Sequence, residues 1–555
     1  MSASELARRD RRLAPDLRLS HSTGPKFPPL LDVTIGEALK DAVRQSGAGS
    51  ALIVPTQSVQ WTWAELDARV DALATGLIRL GLERGDRLAI WAPNCWEWTV
   101  TQFASARVGI VLVNINPAYR LAEAEYALNL VGCRAVICAP RYKTSDYIGM
   151  LRELRAERLP LIETMICLGD DPLDGFLPFS SLLTETSLAE IEAIAAQLGC
   201  NDPINIQFTS GTTGAPKGAT LTHRNILNNG YFVGAQIGLG PEDRVCIPVP
   251  LYHCFGMVMG NLACLTHHAA MVYPSEAFDP GRVLAAVEAA KCTALYGVPT
   301  MFIATLDHPD FSKFDLRSLR TGIMAGSPCP EAVMKDVIGR LHMPEVTIAY
   351  GMTETSPVST QTSRDDTLEQ RAATVGRVQP HLEVKIVDAG GHTVHVGEDG
   401  EICTRGYSVM RGYWDDPART AEAIDGDGWM HTGDIGTMDS DGFCRVTGRL
   451  TDMLIRGGEN IYPREIEEYL MRHPAVADVQ VVGVRDEKFG EEVCACIRLK
   501  SGQHLTAGAI NEFCKEQIAH YKVPRHAIFM DEFPLTVTGK VKKYVLREMV
   551  SNMVR

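Results

Sequence analysis

Residues 209–218, Thr-Ser-Gly-Thr-Thr-Gly-Ala-Pro-Lys-Gly, put hydroxyls, glycines and one lysine into a single turn after the apolar run 204–208. Gly211, Gly214 and Gly218 let the backbone approach a bulky anion. Thr209, Ser210, Thr212 and Thr213 add hydroxyl donors, Ala215 and Pro216 complete the turn, and Lys217 adds a charge. This is the inventory of a polyphosphate cradle. The spacing is not that of the P-loop, G-x-x-x-x-G-K-[ST], which disfavours a kinase or GTPase. By composition alone the same stretch also suits a plain Gly/Ser/Thr surface loop.

Such a turn needs elements to hold it. Thr62-Trp-Ala-Glu65 is a capping box, and Leu66, Val70, Leu73, Leu77 and Leu80 follow at helical spacing until Gly81. Strands are predicted at 86–91, 110–114, 134–138, 293–296 and 322–326, alternating with helices at 96–108, 122–131, 281–290 and 299–306. That alternation defines a largely parallel sheet with helices on its faces. The turn is expected between the strand ending at Phe208 and a helix from His223, at the carboxyl end of a strand, where ligands gather in such sheets. From about residue 375 short alternating runs broken by glycines predict a small β subdomain. Beyond 452, a helix at 463–471, strands at 479–484 and 492–499, a helix at 507–518 and a strand at 526–530 make an α+β domain.

Composition limits the function classes. At 555 residues the chain exceeds one compact core, and 45% hydrophobic with 22% charged residues is ordinary for a globular protein. A net charge of −14 gives no basic excess for counterion release, so nucleic acid is not expected as a partner. The 15 cysteines contain no C-x-x-C pair, which fits a reducing cytoplasm. Cys246, His253, Cys254, Cys264, His267 and His268 are irregularly spaced among apolar residues and read as packing with buried thiols. Arg8, Arg9, Arg11 and Arg12 are interrupted by acids and followed by no apolar run, unlike a secretory signal. No 18-residue apolar stretch predicts a transmembrane segment.

Five further stretches stand in order with the turn: 324–328 (Met-Ala-Gly-Ser-Pro), 350–354 (Tyr-Gly-Met-Thr-Glu), 431–434 (His-Thr-Gly-Asp), Gly448-Arg449 leading to 457–460, and 534–540 (Pro-Leu-Thr-Val-Thr-Gly-Lys). Together they resemble the adenylate-forming (AMP-binding) superfamily of acyl-CoA synthetases, luciferases and adenylation domains, from about residue 30 to 548. The last 110 residues are most similar to the medium-chain branch, of the acyl-CoA synthetase family member 2 type.

The resemblance implies an α/β fold. Two stacked parallel α/β subdomains and a small β subdomain (about 375–449) form a large domain over 31–449, after an extension at 1–30. A hinge at 450–452 then leads to a small mobile α+β domain, 453–555. Where the family carries Asp or Lys at the hinge, this chain has Thr451 followed by Asp452. The implied reaction joins a carboxylic acid to coenzyme A at the expense of ATP, through an acyl-adenylate, with Mg²⁺ held by Glu354. Residues 209–217 would clamp the leaving phosphates. Tyr350 would lie against adenine with Gly326, Ser327 and Pro328 walling the other side, and Gly351 and Met352 would belong to the same nucleotide site. Thr353 would bond the α-phosphate, Asp434 would accept the ribose hydroxyls, and Arg449 would assist the ribose or phosphate. Lys540 would serve adenylation, His253 would gate the acyl pocket, and Gly457 and Gly458 would line the CoA channel.

The same resemblance implies an acyl pocket lined by Phe255, Met257, Met259, Val298, Met301, Phe302, Ile323 and Met324, whose apolar character suits an uncharged aliphatic or arylalkyl acid of medium length. A homodimer is compatible with the family. Two alternatives remain open: an adenylating enzyme that loads a carrier protein, and an ATP-binding protein without ligase activity.

Overall fold

The structure is a computed structural model and describes residues 18–155, 157–209, 216–327, 329–450, 452–456, 459–486, 489–515, 517–536 and 540–554. Its contacts divide the chain into two compact units, one holding Ser22–Val384 and Thr404–His431, the other Lys385–Cys403 and the chain from Thr432 onward.

The first unit contains two large sheets. One runs in the order Leu177–Pro178, Thr164–Cys167, Ala135–Cys138, Arg87–Trp91, Val111–Asn114, Pro203–Thr209, Lys217–Thr222 and Gly412–Tyr413. It is parallel through Pro203–Thr209 and antiparallel over its last two pairings. In the other, Glu345–Gly351, Thr321–Ala325, Ala294–Gly297, Arg244–Cys246, Ala270–Val272 and Ser50–Val54 are consecutive parallel neighbours. The α/β architecture expected from the alternating pattern is present.

The helix Trp63–Arg79 starts where the capping box places it: Glu65 donates its backbone N–H to the Thr62 hydroxyl, and its carboxylate accepts from the Thr62 N–H. Leu66, Val70, Leu73 and Leu77 are fully buried, each contributing about 2 kcal/mol of apolar burial. Gly81 follows with φ of +81°, the left-handed turn that ends a helix.

Helix Trp96–Arg107 is buried from Glu97 to Arg107, although half of those residues are polar. Their polar groups are paired internally. Glu97 accepts from Gln57, the Thr99 hydroxyl bonds Tyr273, Gln102 donates to the Met257 carbonyl, and Arg107 is held by Asp67 and Asp71.

One local expectation is corrected. Lys217–Thr222 is a strand, antiparallel to Pro203–Thr209 with Thr209 opposite Lys217, and it intervenes before helix His223–Gln236. The helix starts at His223 as expected, and the strand Lys217–Thr222 before it is the element the sequence pattern did not announce. Ala219 and Leu221 alternate with Gly218, Thr220 and Thr222, but two apolar side chains are too few to announce a strand.

His223, the first residue of that helix, is fully buried, and its Nδ1 accepts the Ile35 N–H at 3.2 Å. Burial lowers its pKa from 6.5 to about 4, the direction a helix N-terminus also favours. Because the folded value lies below the unfolded one, the neutral ring supports folding above about pH 6.5, and that support is lost as pH falls from 6.5 to 4. Melting temperatures across this window should fall less steeply for His223→Gln than for the wild type. An unchanged slope would remove His223 from the acid response.

In the second unit, Met430–Met438 and Cys444–Arg449 form an antiparallel pair in which Asp434 faces Arg449. Further on, Leu454–Arg456, Glu459–Ile461, Val476–Asp486, Gly490–Leu499 and His526–Phe529 form one sheet, with helices Pro463–Leu470 and Ala507–Cys514 near their expected positions. The C-terminal helix Lys543–Met553 was not anticipated; it buries Leu546 and Val550. No helix of the described residues is long and apolar enough to cross a membrane.

Candidate active site

In the second sheet, four neighbouring parallel strands deliver their carboxyl ends side by side. Ala325 lies opposite Ala349 and Gly297 opposite Met324. Consequently Gly326–Ser327, Tyr350–Met352, the segment after Gly297 and the segment after Cys246 all leave from one rim, the ligand-binding edge of a parallel sheet. Gly326 takes φ of +91°, and a Cβ on Gly351 would lie 1.8 Å from the Pro357 carbonyl oxygen, so each position admits only glycine. Tyr350 is half-buried at the rim, whereas Thr353 is buried just below it.

Glu354 follows in a short 3-10 turn, 4% exposed. Its Oε1 accepts from the Thr209 hydroxyl at 3.1 Å and from the Tyr413 phenol at 3.0 Å. Its carbonyl accepts the Met410 N–H at 2.8 Å. Burial, reinforced by the Glu354 charge, pushes the Tyr413 pKa well up, so the phenol stays protonated and donates. The Lys217 ammonium lies 4.3 Å from the centre of the Tyr413 ring. Thr209 and Lys217 from the 209–218 turn thus meet Glu354 from the 350–354 motif, and the residue joining them is Tyr413, which the sequence reading missed. Its signal was local: Arg411-Gly-Tyr-Trp414 reads as a short strand, and Gly412–Tyr413 does pair with Ala219–Thr220.

His253 sits at the start of a turn leading into an eight-residue π-helix, Phe255–Leu262, a rare form that often marks functional segments. Its Nδ1 accepts the Phe255 N–H at 3.3 Å, which leaves Nε2 as the protonated nitrogen in the neutral ring. The neighbouring Cys254 thiol donates to Gln207 at 2.9 Å and lies 3.6 Å from the Thr353 hydroxyl, tying this turn to the Thr353–Glu354 segment. Phe255, Met257, Met259, Val298, Met301, Phe302, Ile323 and Met324 are all buried. The Met257 sulfur accepts amide N–H groups from Asn114 at 3.2 Å and Gln207 at 3.1 Å, so it faces the polar interior of the first sheet.

In the second unit the Arg449 Nε donates to Asp434 Oδ1 at 2.5 Å, and Asp434 is 4% exposed. Thr536 and Lys540 are bonded to each other: the Lys540 N–H donates to the Thr536 hydroxyl at 3.0 Å, and the Thr536 N–H to the Lys540 carbonyl at 2.6 Å. Ser210, Gly211, Thr212, Thr213, Gly214, Ala215, Pro328, Thr451, Gly457 and Gly458 lie outside the described residues. Pro216 is described and half-buried.

A parallel-sheet rim carrying a buried carboxylate that meets Thr209 and, through Tyr413, Lys217 of the hydroxyl- and glycine-rich sequence 209–218 defines a nucleotide-activating enzyme. The chain belongs to the AMP-binding enzyme family: residues 39–414 match that family and residues 465–540 match the AMP-binding enzyme C-terminal domain. It is 48% identical over 540 residues to "Putative acyl-CoA synthetase YngI" of Bacillus subtilis (strain 168), covering 94% of this chain and 98% of that one. To the mitochondrial medium-chain acyl-CoA ligase ACSF2 of Danio rerio it is 45% identical over 551 residues, covering 96% and 91%. The crystal structure of ATP-bound MatB from Rhodopseudomonas palustris superimposes with a TM-score of 0.84 at 28% identity, covering 95% of this chain and all of that one. The protein is therefore an ATP-binding, AMP-forming acid–CoA ligase.

Proposed function

We propose that the substrate is a medium-chain, uncharged aliphatic or arylalkyl carboxylic acid. The carrying observation is the apolar lining of the rim. Apart from His253 and Glu354, stretches 250–260, 297–303, 322–328 and 350–356 hold no Asp, Glu, His, Lys or Arg to pair with a second substrate charge. The names of the ACSF2 relatives point the same way.

In this reading a carboxylate oxygen attacks the ATP α-phosphorus, the bond to the bridging oxygen breaks, and diphosphate leaves. The CoA sulfur then attacks the acyl carbonyl carbon, the bond to the AMP oxygen breaks, and the thiol proton passes to solvent. The segment 209–217 holds the departing phosphates, with Lys217 opposing their charge. Tyr350 lies against adenine with Gly326, Ser327 and Pro328 on its other side, Gly351 and Met352 belong to the same nucleotide site, and Thr353 bonds the α-phosphate. Asp434 takes the ribose, Arg449 assists the ribose or phosphate, and Gly457 and Gly458 leave room for the pantetheine arm.

Mg²⁺, when bound, neutralises charge between phosphates and is a hard cation that takes carboxylate oxygen. Glu354 fits it: among the described residues, both side-chain donors to this carboxylate fall on Oε1, leaving Oε2 to face a cation. Lys540 serves adenylation and reaches the site through rotation of a small domain beginning after 450–452. His253 stands at the acyl entrance.

A panel of straight-chain and phenylalkyl acids, scored by AMP release with and without CoA, tests the proposal. Turnover should peak at medium chain length and require CoA. A maximum on dicarboxylic acids, or AMP release that needs a carrier protein in place of CoA, would sink it.

A further inference from the structure

Tyr413 makes two contacts that serve two parts of the phosphate site. Its hydroxyl donates to Glu354 Oε1 at 3.0 Å, and the face of its ring lies 4.3 Å from the Lys217 ammonium. The backbone fixes both. Tyr413 pairs with Ala219 in the strand that carries Lys217, and the Met410 N–H, three residues earlier, bonds the Glu354 carbonyl. Tyr413 is itself 7% exposed, so neither contact is a surface accident.

We propose that Tyr413 is a positioning residue for the adenylation step. Its hydroxyl fixes the rotation of the Glu354 carboxylate so that Oε2 is presented to the metal, and its ring holds the Lys217 ammonium over the diphosphate being released. The two functions sit on different atoms of one side chain, so they separate by mutation. The inference rests on the reading of Glu354 as the metal ligand. Tyr413 and Thr209 both donate to Oε1, so the carboxylate cannot turn without breaking two hydrogen bonds. A ring face beside an ammonium fixes its place without neutralising it, which a carboxylate partner would do.

The test uses the full-length enzyme and Mn²⁺ as the probe, with free Mn²⁺ read by electron paramagnetic resonance in the presence of α,β-methylene-ATP. Affinity for the same analogue without metal is measured by calorimetry. Tyr413→Phe keeps the ring and loses the hydroxyl: Mn²⁺ should bind about 10-fold more weakly, with metal-free nucleotide affinity changed by less than about 2-fold. Tyr413→Leu loses both and should weaken Mn²⁺ and nucleotide together. Thr209→Val removes the other donor to the same oxygen and should weaken Mn²⁺ in the same direction, which keeps the anchoring of Oε1 testable if a Tyr413 variant folds poorly.

Glu354→Gln separates the two levels of the argument. If it leaves Mn²⁺ binding unchanged, the metal-ligand reading of Glu354 fails. If it abolishes binding while Tyr413→Phe binds Mn²⁺ as the wild type does, the positioning role alone is overturned. The role is also overturned if Tyr413→Phe and Tyr413→Leu lose metal and nucleotide equally, with the same fall in melting temperature.

Discussion

Lys540→Ala should slow ATP–diphosphate exchange by about 10²–10³-fold while leaving thioester formation from preformed acyl-adenylate and CoA nearly intact. The expected size is that of removing one preorganised donor from a site where negative charge builds on phosphate oxygens. Alanine keeps two bonds between these residues, from the Lys540 N–H to the Thr536 hydroxyl and from the Thr536 N–H to the Lys540 carbonyl, since neither uses the lysine side chain. Two nearby lysines serve as controls, and the structure distinguishes one of them. Lys543 Nζ is held 2.7 Å from Glu467 Oε1, a carboxylate that also accepts the Val481 N–H at 2.8 Å, so Lys543→Ala should lower stability and spare the split between half-reactions. Lys542→Ala should change neither half. Exchange and thioester formation measured side by side decide the matter; equal loss of both in Lys540→Ala refutes the assignment.

The sequence separates well what is local from what is not. The helix Trp63–Arg79 was legible because its start is written in four residues and its buried face in a 3.6-residue period. Pro299–Leu306 matches its expected bounds because proline fixes the first turn. Strand Lys217–Thr222 was not legible: glycine and threonine alternate with only two apolar side chains, and the strand is held by pairing with Pro203–Thr209 and Gly412–Tyr413 more than by its own pattern.

The site divides along the same line. Thr209, Lys217 and Glu354 announce themselves through motifs of fixed spacing. Tyr413 lies 59 residues from Glu354, and only the strand order that sets Gly412–Tyr413 beside Lys217–Thr222 brings its hydroxyl to the carboxylate. Among Lys540, Lys542 and Lys543 the residue type is uninformative, and it takes the contact with Glu467 to give Lys543 a structural task.

The second large effect is on stability. Arg456→Leu should destabilise the second unit by about 3–5 kcal/mol, because it leaves a buried carboxylate without its cation. The Glu492 side chain is 0% exposed, and Arg456 bonds it bidentately, Nε to Oε2 at 2.7 Å and a terminal N–H to Oε1 at 3.0 Å. A third guanidinium N–H donates to the Tyr521 carbonyl at 3.2 Å. Against the 5–15 kcal/mol that holds a domain folded, this loss lowers its melting transition visibly.

Since Lys540 is carried by the same unit, both half-reactions should fall together in Arg456→Leu, the opposite of the split expected for Lys540→Ala. The double variant Arg456→Leu/Glu492→Leu removes both charges and fills the space with apolar side chains. A buried ion pair exchanged for packing costs little or nothing, so the double variant should melt close to the wild type and regain adenylation. Calorimetry on the two single variants and the double closes the cycle. A double variant as unstable as Arg456→Leu would show that the arginine works through Tyr521 and its aliphatic packing, and that the Glu492 pair is not what holds the strand Leu454–Arg456 in place.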